Sequence, residues 1–294
     1  MIWLRRAILI VIRPSLVFTG VVAGLGLASM VVGSSTAKAA PDAKLWARWE
    51  AHAPASDATI DHGAWGDLLS RYLVTGADGI NRFAYGDVKT PDKSKLDRYL
   101  QSLAETKISE FGRAEQMAYW INLYNALTTK VVLDHYPVSS IRDIDISPGF
   151  FSDGPWGKKL LTIEGERVAL DDIEHQILRP IWRDPRVHYA VNCASIGCPN
   201  LQPSPFEGAK LDRQLDEAAI DFINHQRDVD LRDGELTVSS IYRWFSQDFG
   251  GSDREILAHL KAFASPALAM KLEDVGTIDD DRYDWRLNDV AKGS

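Results

Sequence analysis

The apolar pattern from Arg113 to His135 constrains the fold of this chain more than any other stretch. Side chains suited to a core recur there at helical spacing, at Met117, Ile121, Tyr124, Leu127 or Thr128, and Val131 or Val132. A stripe this broad predicts a long helix that buries a wide face. The helix should end at Tyr136, because Pro137 follows and disfavours helical backbone in the residue before it.

Two amides lie inside this apolar helix. Asn122 and Asn125 are three residues apart, which places them on one face. A buried amide is costly unless it is hydrogen-bonded. Two interpretations follow: the pair ties a neighbouring loop to the helix, or one of the two faces a functional site.

Other segments carry weaker signals. We predict helices within residues 44–73, 93–103, 172–179, 211–225, 241–247 and 252–264. Hairpins are expected at residues 160–170 and 229–238, each around a glycine-containing turn. Asp171 with Glu174, and Ser252 with Glu255, each fit a capping box at the start of a helix.

These elements predict an α+β fold, with helices packed around a small, mostly antiparallel sheet of about five strands. No repeat or low-complexity linker divides residues 40–294, so we predict a single domain there. The acidic tail, residues 279–288, is interleaved with aromatic and apolar side chains. We therefore expect the tail to pack against this domain.

The first 39 residues differ from the rest of the chain. Arg5 and Arg6 precede a short apolar run, and residues 15–32 are almost wholly apolar before Ala37-Lys38-Ala39. This order is typical of a secretory signal cleaved after Ala39, which predicts a periplasmic or secreted protein. The alternative is an uncleaved membrane anchor at residues 15–33, whose length approaches the ~20 residues that span a bilayer.

Composition excludes several classes of protein. With 45% hydrophobic and 25% charged residues, the 294-residue chain is ordinary for a globular protein. Loss of residues 1–39 would remove four basic residues and no acidic one, changing the formal net charge from −8 to −12. An acidic protein is poorly suited to phosphate backbones. We expect no nucleic-acid partner, and a membrane partner only if the N-terminal segment stays attached.

The chain has two cysteines, Cys193 and Cys198. In an oxidising compartment they can form a disulfide; two inert buried thiols are a second interpretation. Catalysis by Cys193 is a third, because residues 194–197 can form a turn whose N–H groups lower the thiol pKa and hold an oxyanion. Pro199 favours an extended Cys198, so Cys193 is the better nucleophile.

Two histidines are candidate bases for Cys193. We predict that residues 187–192 form an internal strand, whose alternation would place His188 and Asn192 on the face opposite Cys193. His188 would then reach Cys193 only across a bulge. His175 lies on the helix that follows Asp171, although a lone helical histidine is more often a packed or surface residue.

Other chemistries have less support. The C-x4-C spacing of Cys193 and Cys198, even with His175 and His188, is no recognisable zinc motif and differs from the redox motif C-x-x-C. The sequence has no glycine-rich phosphate loop, no H-E-x-x-H and no G-x-S-x-G. We expect neither a metal nor a cofactor.

Four ordered blocks resemble the signature of the DUF547 family, a domain family of unknown function. They are residues 118–126, 170–179, 188–199 and 244–249, and the end at 283–288 is also similar. The resemblance runs from about Trp65 to Asn288. It implies kinship with exported bacterial proteins and the C-terminal part of plant proteins. It also suggests a papain or transglutaminase-like fold, whose nucleophile lies on the long helix, where this chain has asparagines.

Carried over block by block, the resemblance implies one shared site. Its residues would be Asn122, Asn125, Glu174, His175, His188, Asn192, Cys193 and Cys198. The first hypothesis is an exported cysteine-dependent hydrolase or acyl/amide transferase acting on a peptide or amide bond. Cys193 would be the nucleophile and His175 or His188 the base, oriented by Glu174 or an asparagine; Asn192 and Cys198 would contact substrate.

The alternative hypothesis is a non-catalytic binding module of the cell envelope. In it, Cys193 and Cys198 form a structural disulfide. Its partner would be a small-molecule or peptide ligand.

Overall fold

The long helix α3 (Arg113–His135) is buried on nearly all sides, in a computed structural model that describes residues 41–149 and 154–290. Its bounds are those that the sequence predicts. Trp120, Tyr119 and Tyr124 are among the largest fully buried side chains of the described residues. The predicted signal segment, residues 1–39, lies outside the described residues.

Eight further α-helices and one π-helix accompany α3 in the described part of the chain. The α-helices are α1 (Gly63–Tyr72), α2 (Thr90–Glu105), α4 (Arg179–Trp182), α5 (Val187–Ala190), α6 (Leu211–Ile223), α7 (Ile241–Trp244), α8 (Asp253–Phe263) and α9 (Pro266–Leu272). The π-helix, Asp172–Leu178, runs directly into α4. None of the helices in residues 41–149 and 154–290 has the length and apolarity to cross a bilayer.

The strands form three small sheets. They are β1 (Leu73–Thr75), β2 (Asn81–Phe83), β3 (Leu161–Ile163), β4 (Glu166–Val168), β5 (Val229–Arg232), β6 (Glu235–Ser239) and β7 (Asp280–Arg282). β1–β2 and β3–β4 are antiparallel hairpins, and β6 lies between antiparallel β5 and parallel β7. The α+β class and both predicted hairpins are confirmed. The expected single sheet of about five strands is wrong, because the strands form three separate sheets of two or three strands each.

The segment predicted as an internal strand is a helical turn. Val187–Ala190 forms α5, in which the Val191 N–H donates to the Val187 carbonyl at 3.1 Å. Only the residues after it are extended. A short buried apolar run fits either period, so the sequence could not distinguish the two. The alternation that set His188 opposite Cys193 therefore does not apply.

The capping box predicted at Asp171 and Glu174 is also absent. Asp171 has helical backbone angles and makes no side-chain cap. The helix start is held by Asp172, whose Oδ2 accepts from the Ala169 N–H at 2.6 Å and from Lys159 Nζ at 2.5 Å. Glu174 is thereby left to point into the protein interior, where it is buried. The predicted N-cap at Ser252 is confirmed, since its Oγ accepts from the Glu255 N–H at 3.4 Å. Glu255 Oε2 accepts from that same hydroxyl at 2.6 Å, and not from the Ser252 N–H as a capping box requires.

Two apolar clusters make up the core. The larger surrounds α3, and the smaller lies between α6, β6, α8 and α9. The C-terminal tail packs as predicted: the Phe83 N–H donates to the Asn288 carbonyl, and the Asn288 N–H donates to the Ala194 carbonyl. The chain end thus fixes the backbone that follows Cys193.

Each asparagine of α3 holds one loop through two hydrogen bonds. Asn125 donates to the Ala190 carbonyl at 2.9 Å and accepts from the Asn192 N–H at 2.8 Å. Asn122 donates to the Phe206 carbonyl at 2.8 Å and accepts from the Phe206 N–H at 3.0 Å. The loop between α5 and α6 is therefore anchored to the central helix at both ends.

We expect Asn125→Leu to destabilise the fold by roughly 3 kcal/mol, because it strands a buried carbonyl and a buried N–H. Urea unfolding followed by circular dichroism measures this change. The matched control is Gln101→Leu, whose exposed amide bonds only Glu105 on the surface of α2. That control should shift stability by less than about 0.5 kcal/mol. Equal effects of the two substitutions would contradict the anchoring role.

Candidate functional site

Cys193 and Cys198 form a disulfide, with their Cα atoms 6.3 Å apart. Cys198 is buried, whereas Cys193 is partly exposed. The Cys193 N–H donates to Cys198 Sγ at 2.9 Å. No cysteine within the described residues is free. Neither sulfur is therefore available as a thiolate in this structure.

The Tyr283 hydroxyl covers both sulfurs. It lies 3.0 Å from Cys193 Sγ and 3.1 Å from Cys198 Sγ, and it accepts from Ser195 Oγ at 2.9 Å. Burial raises the pKa of Tyr283, so the phenol stays protonated at neutral pH. The rings of Trp244 and Trp285 flank Tyr283, with ring centroids 4.7 and 4.6 Å away. Tyr283 thus links the disulfide to a cluster of aromatic rings.

The backbone donors after Cys193 are largely engaged. The Ala194 N–H donates to Asn192 Oδ1 at 2.8 Å, and the Cys198 N–H donates to the Ser195 carbonyl at 3.1 Å. The N–H groups of residues 196 and 197 donate to carbonyls of the C-terminal tail, each at 2.8 Å. These four donors are not free to hold an oxyanion, which is the role that the sequence predicts for this turn.

His188 is fixed in a buried ionic cluster. Its Nε2 lies 2.7 Å from Asp248 Oδ2, and the same carboxylate takes two hydrogen bonds from Arg179, at 2.5 and 3.2 Å. Phe245 stacks on the His188 ring at 4.1 Å and lies under the Arg179 guanidinium at 4.8 Å. Burial raises the pKa of Asp248, but the hydrogen bonds from His188 and Arg179 outweigh it and lower that pKa to about 2.

Glu174 lies between the two histidines. Its Oε1 is 4.0 Å from the Nδ1 atoms of both His175 and His188. Burial raises the pKa of Glu174, against the lowering influences of His188 and Arg179. The Tyr124 hydroxyl also interacts with the Glu174 carboxylate. A carboxyl group in such a position is poised to exchange a proton if a substrate can reach it.

His175 is held neutral. Its Nδ1 lies 3.1 Å from Arg179 Nη1, so it accepts a hydrogen bond there and carries its proton on Nε2. Burial lowers the pKa of His175 to about 4, against the raising influence of Asp171. Burial likewise lowers the pKa of His188, against its hydrogen bond to Asp248. Both imidazoles are therefore uncharged at neutral pH.

The predicted site residues fall into three groups. Glu174, His175 and His188 meet in the ionic cluster, and Cys193 and Cys198 meet in the disulfide. No hydrogen bond joins either histidine to Cys193 in the described part of the protein. The amides form the third group: Asn122 and Asn125 hold loops, and Asn192 donates to the Pro199 carbonyl at 2.7 Å.

Sequence reasoning missed three residues that shape these groups. Arg179 and Asp248 form the ion pair at the centre of the cluster, and Tyr283 covers the disulfide. All three lie inside the segments that carry the family resemblance, and this position was the signal that could have identified them as site residues. Arg179 and Asp248 are 69 positions apart, so no local pattern pairs them.

No metal site is evident in the part of the chain that the structure describes. Its histidine, cysteine and acidic side chains form no group of three or more that could hold a metal ion. Arg179 occupies the position between Asp248 and His175 where a cation would otherwise lie.

Comparisons with known proteins support the family resemblance. A family model described as "Protein of unknown function, DUF547" matches residues 108–223. The match includes all eight predicted site residues and ends at the last residue of α6. A search of curated proteins and a search of solved structures each found no match. The similarity to the papain or transglutaminase-like fold stays a prediction.

The buried histidines predict a pH dependence of stability. His175 has a pKa near 4 when folded and 6.5 when unfolded, so between these values the unfolded chain binds more protons. The free energy of unfolding should therefore fall as pH drops from 6.5 towards 4. At pH 5 this one histidine accounts for about 2 kcal/mol of loss.

We expect His175→Gln to reduce the pH 7 to pH 5 loss of stability by about that amount, roughly 2 kcal/mol. Urea unfolding at the two pH values measures it. His52→Gln, at an exposed position, serves as control and should keep the parent's pH dependence. An unchanged dependence in His175→Gln would contradict the assignment of a neutral buried imidazole.

Proposed function

We propose that the protein is a non-catalytic binding module of the cell envelope, stabilised by the Cys193–Cys198 disulfide. The observation that carries this proposal is the disulfide itself. A cysteine nucleophile reacts as the thiolate, and Cys193 has no thiolate while it is bonded to Cys198.

Two features of the same loop support a structural role for the sulfurs. The N–H groups of residues 194 and 196–198 are engaged, and neither His175 nor His188 is hydrogen-bonded to Cys193. Closing so short a loop contributes about 2 kcal/mol to stability in the chain-entropy account of disulfides. The Tyr283 hydroxyl also contacts both sulfurs of this bond.

Export to the periplasm or the medium is part of the proposal. Residues 1–39 have the order of a secretory signal, and a disulfide persists in an oxidising compartment. If the signal is not cleaved, residues 15–33 would anchor the module to the membrane. The ligand would be a small molecule or a peptide, since the acidic chain disfavours nucleic acid.

A second candidate is a cysteine-dependent hydrolase or acyl/amide transferase that acts only when the disulfide is reduced. The observation in its favour is the asymmetry of the sulfurs, since Cys193 is the more exposed one. Glu174, with its raised pKa, and the neutral His188 would supply acid–base groups. A papain or transglutaminase-like ancestry would accompany this candidate.

Thiol counting on the full chain, purified without reductant, tests the first proposal. We expect no free thiol in denaturant before reduction and two after it, and no labelling by iodoacetamide in the native protein. Cys193→Ala/Cys198→Ala should fold and lose about 2 kcal/mol of stability. Two free thiols without reductant, one of them alkylated well below pH 8, would instead establish the reactive cysteine of the second candidate.

A further inference from the structure

A cavity of about 540 Å³ lies between the start of α1, the first turn of α3 and the loop before α6. Its lining includes Asp61, His62, Glu115, Pro205, Glu207 and Ala209. The volume falls in the range of small-molecule sites in proteins. None of the lining residues belongs to the disulfide loop or the ionic cluster.

The walls of this cavity are fixed by α3. Glu115 Oε1 accepts from the Ile60 N–H at 2.7 Å, and its Oε2 accepts from the Gly208 N–H at 3.2 Å. A Cβ atom at position 208 would lie 2.4 Å from Glu115 Oε2, so only glycine allows this close approach. Asn122, about two turns further along α3 than Glu115, holds Phe206 next to the same wall. The cavity is therefore built into the fold.

His62 lines this cavity, and one of its ring nitrogens is buried with its hydrogen-bonding capacity unused. The residue is 6% exposed, and its Nε2 has no hydrogen-bond partner among the described residues. Its Nδ1 lies 2.6 Å from the Tyr99 hydroxyl. Burial raises the pKa of Tyr99 and lowers that of His62 to about 4, so both are neutral at pH 7.

These two neutral groups fix the proton on His62. The Tyr99 hydroxyl has no other acceptor in the described structure, so it donates to Nδ1. The imidazole proton then resides on Nε2, which becomes a buried donor without an acceptor. A buried donor of this kind destabilises the protein, and a ligand acceptor would remove that penalty.

The carboxylates around His62 already have partners. Asp61 Oδ1 accepts from the Gly63 N–H at 2.8 Å, Glu115 accepts two backbone N–H groups, and Glu207 pairs with Lys210 at 2.8 Å. These carboxylates would repel an anion, and their existing hydrogen bonds and ion pair already stabilise their charge without a bound cation. Their remaining lone pairs can accept hydrogen bonds from neutral donors.

We propose that this cavity binds a neutral polyhydroxyl ligand of monosaccharide size. A ligand hydroxyl oxygen accepts from His62 Nε2–H, and ligand hydroxyl hydrogens donate to the carboxylates of Asp61, Glu115 and Glu207. A hydroxyl group does both, whereas an alkylammonium ion has no acceptor for His62 and a carboxylate ion has no donor. The inference rests on the proposed binding function, for which it names a site and a ligand class.

The test follows the imidazole nitrogens of the ¹⁵N-histidine-labelled full chain by NMR. The probes are glucose and N-acetylglucosamine as neutral polyols, acetate as an anion and ethylammonium as a cation, each up to about 50 mM, well above the millimolar range of weak binding. We expect one or both polyols, and neither ion, to shift the His62 Nε2 resonance with saturation. No shift with any probe, or saturable shifts with the ions alone, would overturn the proposal.

Two variants keep this test decisive. Ala209→Trp places a large side chain at the exposed rim and should abolish the polyol shift without disturbing the core. Ala258→Trp, at an exposed position on α8, is the matched control and should retain it. His62→Phe should also lose saturation-transfer signals from the bound polyol. Unchanged polyol binding in Ala209→Trp would overturn the assignment to this cavity.

The two proposals fail independently. An oxidised cysteine pair with no polyol binding would overturn only the ligand class. Two reactive free thiols together with polyol binding at His62 would overturn the non-catalytic role and leave the site in place.

Discussion

The hydrogen bonds from Asn122 and Asn125 to the loop between α5 and α6 are the constraint on which the rest of the structure depends. An amide is expensive inside an apolar helix, and each of these is satisfied by one N–H and one carbonyl of the backbone. The central helix α3 thus fixes the position of the loop between α5 and α6. This loop contains both the disulfide and part of the wall of the His62 cavity, so the two amides position both.

The buried ion pair of Arg179 and Asp248 joins the two halves of the core. Arg179 follows the π-helix beside the larger cluster, and Asp248 precedes Phe249 in the smaller one. Removing two charges from water is costly, and the bidentate geometry with His188 on the same carboxylate offsets that cost. Phe245 packs against both the His188 ring and the Arg179 guanidinium.

The sulfurs and the histidines, which together suggest catalysis when read along the chain, occupy separate environments in the fold. Cys193 faces Cys198, Ser195 and Tyr283, while His188 faces Asp248 and Glu174. The same side chains can therefore serve a structural purpose in each place. This separation is the physical reason for proposing a binding module for the oxidised protein.

The sequence by itself determined the features that local periodicity encodes. The bounds of α3, the two hairpins, the cap at Ser252 and the α+β class follow from spacing and turn chemistry, which act over a few residues. It also located both sulfurs and the two buried amides. It could not distinguish a strand from a helical turn at residues 187–190, because so short a run fits both periods.

Only the tertiary structure decided which groups meet. The pairing of Arg179 with Asp248 joins residues 69 positions apart, and the interior position of Glu174 and the unpaired Nε2 of His62 depend on burial. For Cys193 and Cys198 the sequence allowed either a disulfide or free thiols, and the structure pairs them. Such contacts are set by packing around α3. The spacing of side chains can be read from the sequence, but the partners that they meet after folding cannot.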